Sequence, residues 1–144
     1  RGWKGDLYEG GIRVPAFVNW PGQLAPGVVD EPVHVSCWLP TLCNLTGCSG
    51  GMKNVKPDGR DIWPLLKGGN ALDKNFPIYW KIAQFYAVRE GKWKLLLNRK
   101  SGVTELYDLE ADFRETNDLS QENPEKTEYL SGLIEQFKKD DREK

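Results

Sequence analysis

Between Pro77 and Asp108 apolar residues recur at every second position, and this alternation does most to narrow what the chain can fold into. Ile78-Tyr-Trp-Lys81, Phe85-Tyr-Ala-Val-Arg89, Trp93-Lys-Leu-Leu-Leu97 and Thr104-Glu-Leu-Tyr-Asp108 read as four short strands. Glu90-Gly91 and Ser101-Gly102 supply the turns between the later ones. Trp93, Leu95 and Leu97 share a face, because alternate side chains of a strand point the same way. A small sheet with one apolar face needs a cover to be stable in water.

The end of the chain supplies that cover. A helix is expected from about Pro124 to Lys139, with Asn123 as its cap, Pro124 in the first helical position and Glu125 at the positive end of the dipole. Tyr129, Leu130, Leu133, Ile134 and Phe137 form its apolar stripe. A second helix is expected over Ser36 to Leu45, capped by Ser36 and ended by Gly47. Its predicted apolar face is Val35, Leu39, Leu42 and Cys43, and Pro40 is tolerated because it lies in the first turn. Gly50 to Pro57 and Gly68 to Asn75 read as loops, and Asp61 as a capping or turn residue before a short helix.

The start of the chain carries the chemistry. Arg1-Gly-Trp-Lys-Gly-Asp-Leu-Tyr-Glu-Gly-Gly11 holds four glycines around a lysine, an aromatic pair and a glutamate. Glycine at this density lets backbone approach a ligand closely. The ammonium of Lys4, a compact point charge with three donors, suits a multivalent anion. Val14-Pro-Ala-Phe-Val-Asn-Trp20 then reads as a strand, so the loop leads into a sheet edge, where ligands of α/β folds commonly bind.

Gly2-x-Lys4-x4-Glu9-Gly10-Gly11-x-Arg13, followed by Trp20-Pro21-Gly22, resembles the second signature of the sulfatase family, the arylsulfatase-like hydrolases. Ser36-Cys-Trp-Leu-Pro-Thr-Leu42, Asp58-Gly-Arg-Asp-Ile62 and Leu106-Tyr-Asp-Leu-x-x-Asp112-x-x-Glu115-x-x-Asp118-Leu119 resemble later family segments in the family's order. Cys37 stands at a usual aspartate and Phe113 at a usual proline. The acids of the closing segment read as caps and turn formers.

The resemblance implies an α/β, alkaline-phosphatase-like architecture of which these residues are the C-terminal part. Residues 1–75 would end the catalytic domain and carry the lysine loop, and 76–144 would form the small antiparallel sheet and its helix. It implies a parent enzyme that hydrolyses sulfate esters of small molecules or glycans, using a formylglycine nucleophile and calcium, in a secreted, periplasmic or lysosomal setting. Lys4 would bind the sulfate group and His34 is a candidate for the substrate cleft. The nucleophile and the metal carboxylates are expected in the N-terminal part of the same protein, so these residues alone are expected to be inert. A phosphodiesterase or phosphonate hydrolase of the same superfamily is the nearest alternative. A sugar- or protein-binding module, using some of the six tryptophans, is the alternative from another class.

Charge bears on partners. Twenty basic and 21 acidic residues nearly cancel, and no basic block interleaves with aromatics, which argues against nucleic acid. No apolar run approaches the length of a membrane span. Cys37, Cys43 and Cys48 match no zinc spacing. A Cys43–Cys48 disulfide and three small buried apolar residues both fit them. Asn44-Leu45-Thr46 is a glycosylation sequon.

Overall fold

The computed structural model describes residues 1–48, 56–69 and 76–141. Most of the two expected loops, Gly50 to Pro57 and Gly68 to Asn75, therefore lies outside the described residues. The chain divides into two compact units, one made of residues 1–15 with 75–144 and the other of residues 16–74.

The first unit is built on the four-stranded sheet. Strands β1 (Ile78–Ile82), β2 (Phe85–Glu90), β3 (Trp93–Asn98) and β4 (Val103–Asp108) form an antiparallel meander in chain order. Helix α4 (Pro124–Asp140) crosses one face. There Leu130 and Ile134 are fully buried against Tyr86, Val88, Leu95 and Leu106, with Trp93, Leu97, Leu133 and Phe137 around them. The expected stripe holds at its centre and shifts at its rim. Tyr129 is exposed, and its hydroxyl donates to Glu90 at 2.9 Å. Asn123 precedes the helix, but its side-chain amide donates back to the Leu119 carbonyl at 3.3 Å and caps no helical N–H.

The other sheet face is also covered. Leu7, from the glycine-rich segment, joins Ala87, Leu96, Tyr107 and Leu109 in a second apolar cluster, with Tyr8, Ile12 and Trp80 at its edge. Burial on both faces explains why Tyr86-Ala87-Val88 and Leu95-Leu96 are buried consecutively. A one-faced strand would alternate buried and exposed positions.

In the second unit a 3₁₀ turn (Val35–Cys37) leads into α2 (Trp38–Thr46), which ends at Gly47. The buried positions are Cys37, Pro40 and Thr41, while Val35, Leu39 and Leu42 are exposed, so the predicted apolar face is the outer one. A polar contact selects the inner face. The Thr41 hydroxyl donates to the Cys37 carbonyl at 2.6 Å and accepts the Ile62 N–H at 3.0 Å, tying α2 to the start of α3 (Trp63–Leu66). Asp61 caps that start as expected, accepting the Trp63 N–H at 2.8 Å. Ser36 is not the cap of the turn; His34 precedes it and its ring accepts the Ser36 N–H. Val14 to Trp20 is not a strand. A ladder needs a hydrogen-bonding neighbour, this stretch has none among the described residues, and Phe17 is 95% exposed.

Candidate functional site

The site grows out of the glycine-rich segment. Helix α1 (Glu9–Ile12) is a single turn, and the Gly10 N–H donates to the Arg1 carbonyl at 2.8 Å. A side chain is not tolerated here. A Cβ on Gly10 would lie 2.3 Å from the Gly2 carbonyl oxygen, and one on Gly11 2.2 Å from that of Asp6. Backbone oxygens on both sides of Lys4 therefore rest against α1. The Asp6 N–H donates to the Trp3 carbonyl at 3.0 Å, and Asp6 Oδ2 accepts the Trp3 N–H at 3.0 Å. Lys4 sits exposed on the turn so closed, and nothing among the described residues pairs with its ammonium.

Beneath this segment lies a buried charge cluster. Lys94 on β3 and Glu115 in the loop after β4 are both fully buried. Lys94 Nζ donates to Glu9 Oε1 at 2.9 Å and lies 2.7 Å from Glu115 Oε1, while Glu115 Oε2 accepts the Glu9 N–H at 2.7 Å. Arg89, the cross-strand neighbour of Lys94, brings a guanidinium nitrogen to 4.0 Å from Glu9 Oε2. Two carboxylates thus face two cations, which is how charge survives out of water.

Glu115 itself adopts φ 57°, a left-handed conformation that costs a non-glycine residue on the order of 1–3 kcal/mol. The surrounding loop holds it there. Its N–H donates to the Asp112 carbonyl at 3.1 Å, and the Asp112 carboxylate accepts the N–H groups of Thr116 and Asn117 at 2.6 and 2.8 Å. Asp108, Asp112 and Asp118 are turn formers as expected; Glu115 is instead a core ion-pair partner.

Arg1 closes the edge. It donates to the Tyr107 hydroxyl at 2.9 Å and stacks 4.3 Å over the Tyr8 ring, whose hydroxyl donates to Glu105. Burial, with Glu105 nearby, pushes the Tyr107 hydroxyl up to about 12 and the Tyr8 hydroxyl higher still. Both hydroxyls therefore stay protonated near neutral pH, Tyr8 as a donor to Glu105 and Tyr107 as an acceptor from Arg1.

His34 belongs to the other unit, so Lys4 and His34 are not brought together within one unit. Its Nδ1 lies 2.8 Å from the Ser36 hydroxyl. Burial lowers its pKa, with the charge of Asp58 opposing the shift. The unfolded chain therefore takes up a proton more readily than the folded one. Stability should be intact above about pH 6.5, fall as pH drops below it, and level off below the folded value. Melting temperatures of wild type and His34→Gln between pH 5 and 7.5 check this: the wild type should lose more on acidification, and equal losses would count against a buried neutral ring.

Among the described residues no three His, Cys, Asp or Glu groups are placed to hold a metal ion. Cys37 is buried, and Cys43 and Cys48 are free thiols outside any Cys-x-Pro/Ala-x-Arg setting. Among the described residues, then, no set of side chains is arranged to hold calcium, and no cysteine stands in a formylglycine-type motif.

The profile of the family described as "N-sulphoglucosamine sulphohydrolase, C-terminal" matches residues 2–143. This chain belongs to the sulfatase family, as a C-terminal portion. The sulfatase segment is 42% identical over 96 residues to human arylsulfatase A, covering 63% of this chain and 18% of that protein. It is 34% identical over 130 residues to a choline-sulfatase of Rhizobium meliloti (strain 1021), covering 85% of this chain and 24% of that one. Among solved structures, Ps i-CgsB in complex with k-i-k-neocarrahexaose superposes with a TM-score of 0.66 at 26% identity, over 82% of this chain and 27% of that chain. The segment thus spans about a fifth to a quarter of these relatives. The four-stranded sheet with its C-terminal helix is consistent with the C-terminal part of the alkaline-phosphatase-like fold.

Proposed function

We propose that the protein containing this chain hydrolyses sulfate esters, of aryl or carbohydrate type, and that Lys4 binds the sulfate group undergoing reaction. The observation that carries this is the Lys4 ammonium, exposed and unpaired among the described residues, on a turn that is hydrogen-bonded closed and seated on α1. An unpaired cation held at a fixed place is what a sulfate group with shifting charge requires. Relatives that are arylsulfatases and choline-sulfatases support the reaction class. The relative solved with a neocarrahexaose supports a carbohydrate sulfate as one substrate class.

In this reading the N-terminal part of the same protein is the obligate partner and supplies the formylglycine and the calcium ligands. The ion would polarise the sulfate oxygens, while Lys4 offsets the charge that moves on them. The enzyme works in a secreted, periplasmic or lysosomal compartment. No helix among the described residues is long and apolar enough to cross a membrane. His34, which caps the turn before α2, is kept in this reading as a candidate for the substrate cleft.

The test is Lys4→Ala in the full-length enzyme. Loss of one preorganised contact to developing charge costs on the order of 10²–10³ in rate. Activity on an aryl sulfate should fall by that factor with little change in melting temperature, since an exposed loop side chain adds little stability. Lys4→Arg should restore it only in part, because a planar guanidinium cannot occupy the place of a compact ammonium. The 144 residues alone should show no turnover. Near-normal kcat/KM in Lys4→Ala removes Lys4 from the site.

A further inference from the structure

We infer that Lys94 is a positioning residue for Lys4: through Glu9 it fixes α1, and through α1 the turn that presents the Lys4 ammonium. This rests on the reading of Lys4 given above. The residues around Lys4 bury nothing that would place them, since positions 1–5 are all exposed. Their location is set by the Arg1 guanidinium, which donates to the Tyr107 hydroxyl, and by α1, against which the carbonyls of Arg1, Gly2, Trp3 and Asp6 rest at distances that exclude even a methyl group. Helix α1 has one turn and cannot hold itself in place.

Leu7 and Ile12 pack the segment loosely onto the sheet, and Glu9 supplies its polar anchor. Its side chain meets Lys94 and its N–H meets Glu115, so both its ends are gripped from the buried cluster. Lys94 in turn is carried on a central strand, between Arg89 on β2 and Tyr107 on β4, the most rigid place this unit offers. The route from Lys94 Nζ to the Lys4 turn therefore runs through one carboxylate and one helical turn. A core ion pair that only stabilised the sheet would have no reason to reach into the lysine motif; here Glu9 itself belongs to it.

The experiment uses the full-length enzyme with Glu9→Gln, Lys94→Met, Lys4→Ala and the double variants with Lys4→Ala. Glu9→Gln keeps size and an acceptor, so it covers the case in which Lys94→Met fails to fold. A displaced contact of this kind costs about tenfold to hundredfold in rate. Glu9→Gln should lower kcat at least about tenfold, measured below its own melting temperature, which falls because one charge of the buried cluster is lost. In the Lys4→Ala background the same substitution should cost less than about twofold, because its effect passes through Lys4. Amide exchange at Gly10 and Gly11 should quicken in Glu9→Gln, with β2 and β3 amides unchanged.

Full multiplication of the two losses in the double variant would overturn the inference and leave Lys94 a structural residue. Should Lys4→Ala retain normal activity, the sulfate role of Lys4 falls, and exchange still decides the positioning. Faster exchange confined to Gly10 and Gly11 upholds it, and unchanged rates overturn it.

Discussion

Replacing Lys94 by methionine is expected to destabilise the sheet-containing unit by about 3–5 kcal/mol, the usual loss when one partner of a buried ion pair is removed. Methionine matches the lysine stem in volume, so the loss reports charge and not a cavity. Glu9 and Glu115 would be left with one guanidinium, 4.0 Å from Glu9, to balance two carboxylates. Adding Glu115→Gln to Lys94→Met should recover much of the loss, because Glu9 and Arg89 then balance. Urea unfolding of the single and double variants measures both the loss and its recovery. A loss below about 1 kcal/mol would mean that the cluster is not sealed from water.

Removing everything after Ser120 should have the largest effect of all. Leu130 and Ile134 are fully buried, with Leu133 and Phe137 packed beside them. Burying each large apolar side chain contributes roughly 1.5–3 kcal/mol, while a whole domain is stable by only about 5–15 kcal/mol. The truncation also bares Tyr86, Val88, Leu95 and Leu106 on the sheet. The expected result is loss of the cooperative near-ultraviolet dichroism transition of this unit. Retention of that transition at an unchanged temperature would mean that α4 is not the cover of the sheet.

The parts that could be read from sequence are those fixed by neighbours along the chain. Strand-forming composition over Trp93 to Leu97 and helical spacing over Leu130 to Phe137 are local patterns, and both elements stand where those patterns put them. The errors share a cause: each concerned what the residue meets, not what it is. The face of α2 was chosen by counting apolar residues, but Thr41 turns inward because Ile62, 21 residues away, offers it an N–H. Val14 to Trp20 has strand composition, but among the described residues no strand lies beside it.

Lys4 is proposed as a site residue from its setting in a glycine motif. Lys94 and Glu115 were missed because a lysine in a strand and a glutamate in a turn are ordinary surface residues. Their partner Glu9 lies 85 positions from Lys94 and 106 from Glu115. One signal was available. Leu95-Leu96-Leu97 leaves no polar position between apolar ones, which betrays a sheet buried on both sides and so a second covering element.

That double covering has a consequence for how the molecule is assembled. The sheet-containing unit is stitched from residues 1–15 and 75–144, with residues 16–74 intervening in sequence. Closing a loop of that length costs only slightly more entropy than closing one half as long, by about 0.6 kcal/mol, so the arrangement is thermodynamically mild. Kinetically it is not: the meander and α4 can form from contiguous chain, but Ala87, Leu96 and Tyr107 keep one wet, apolar side until Leu7 arrives. During synthesis the lysine motif therefore emerges well before the strand that anchors it, and it has no seat until β3 and the Glu115 loop have left the ribosome.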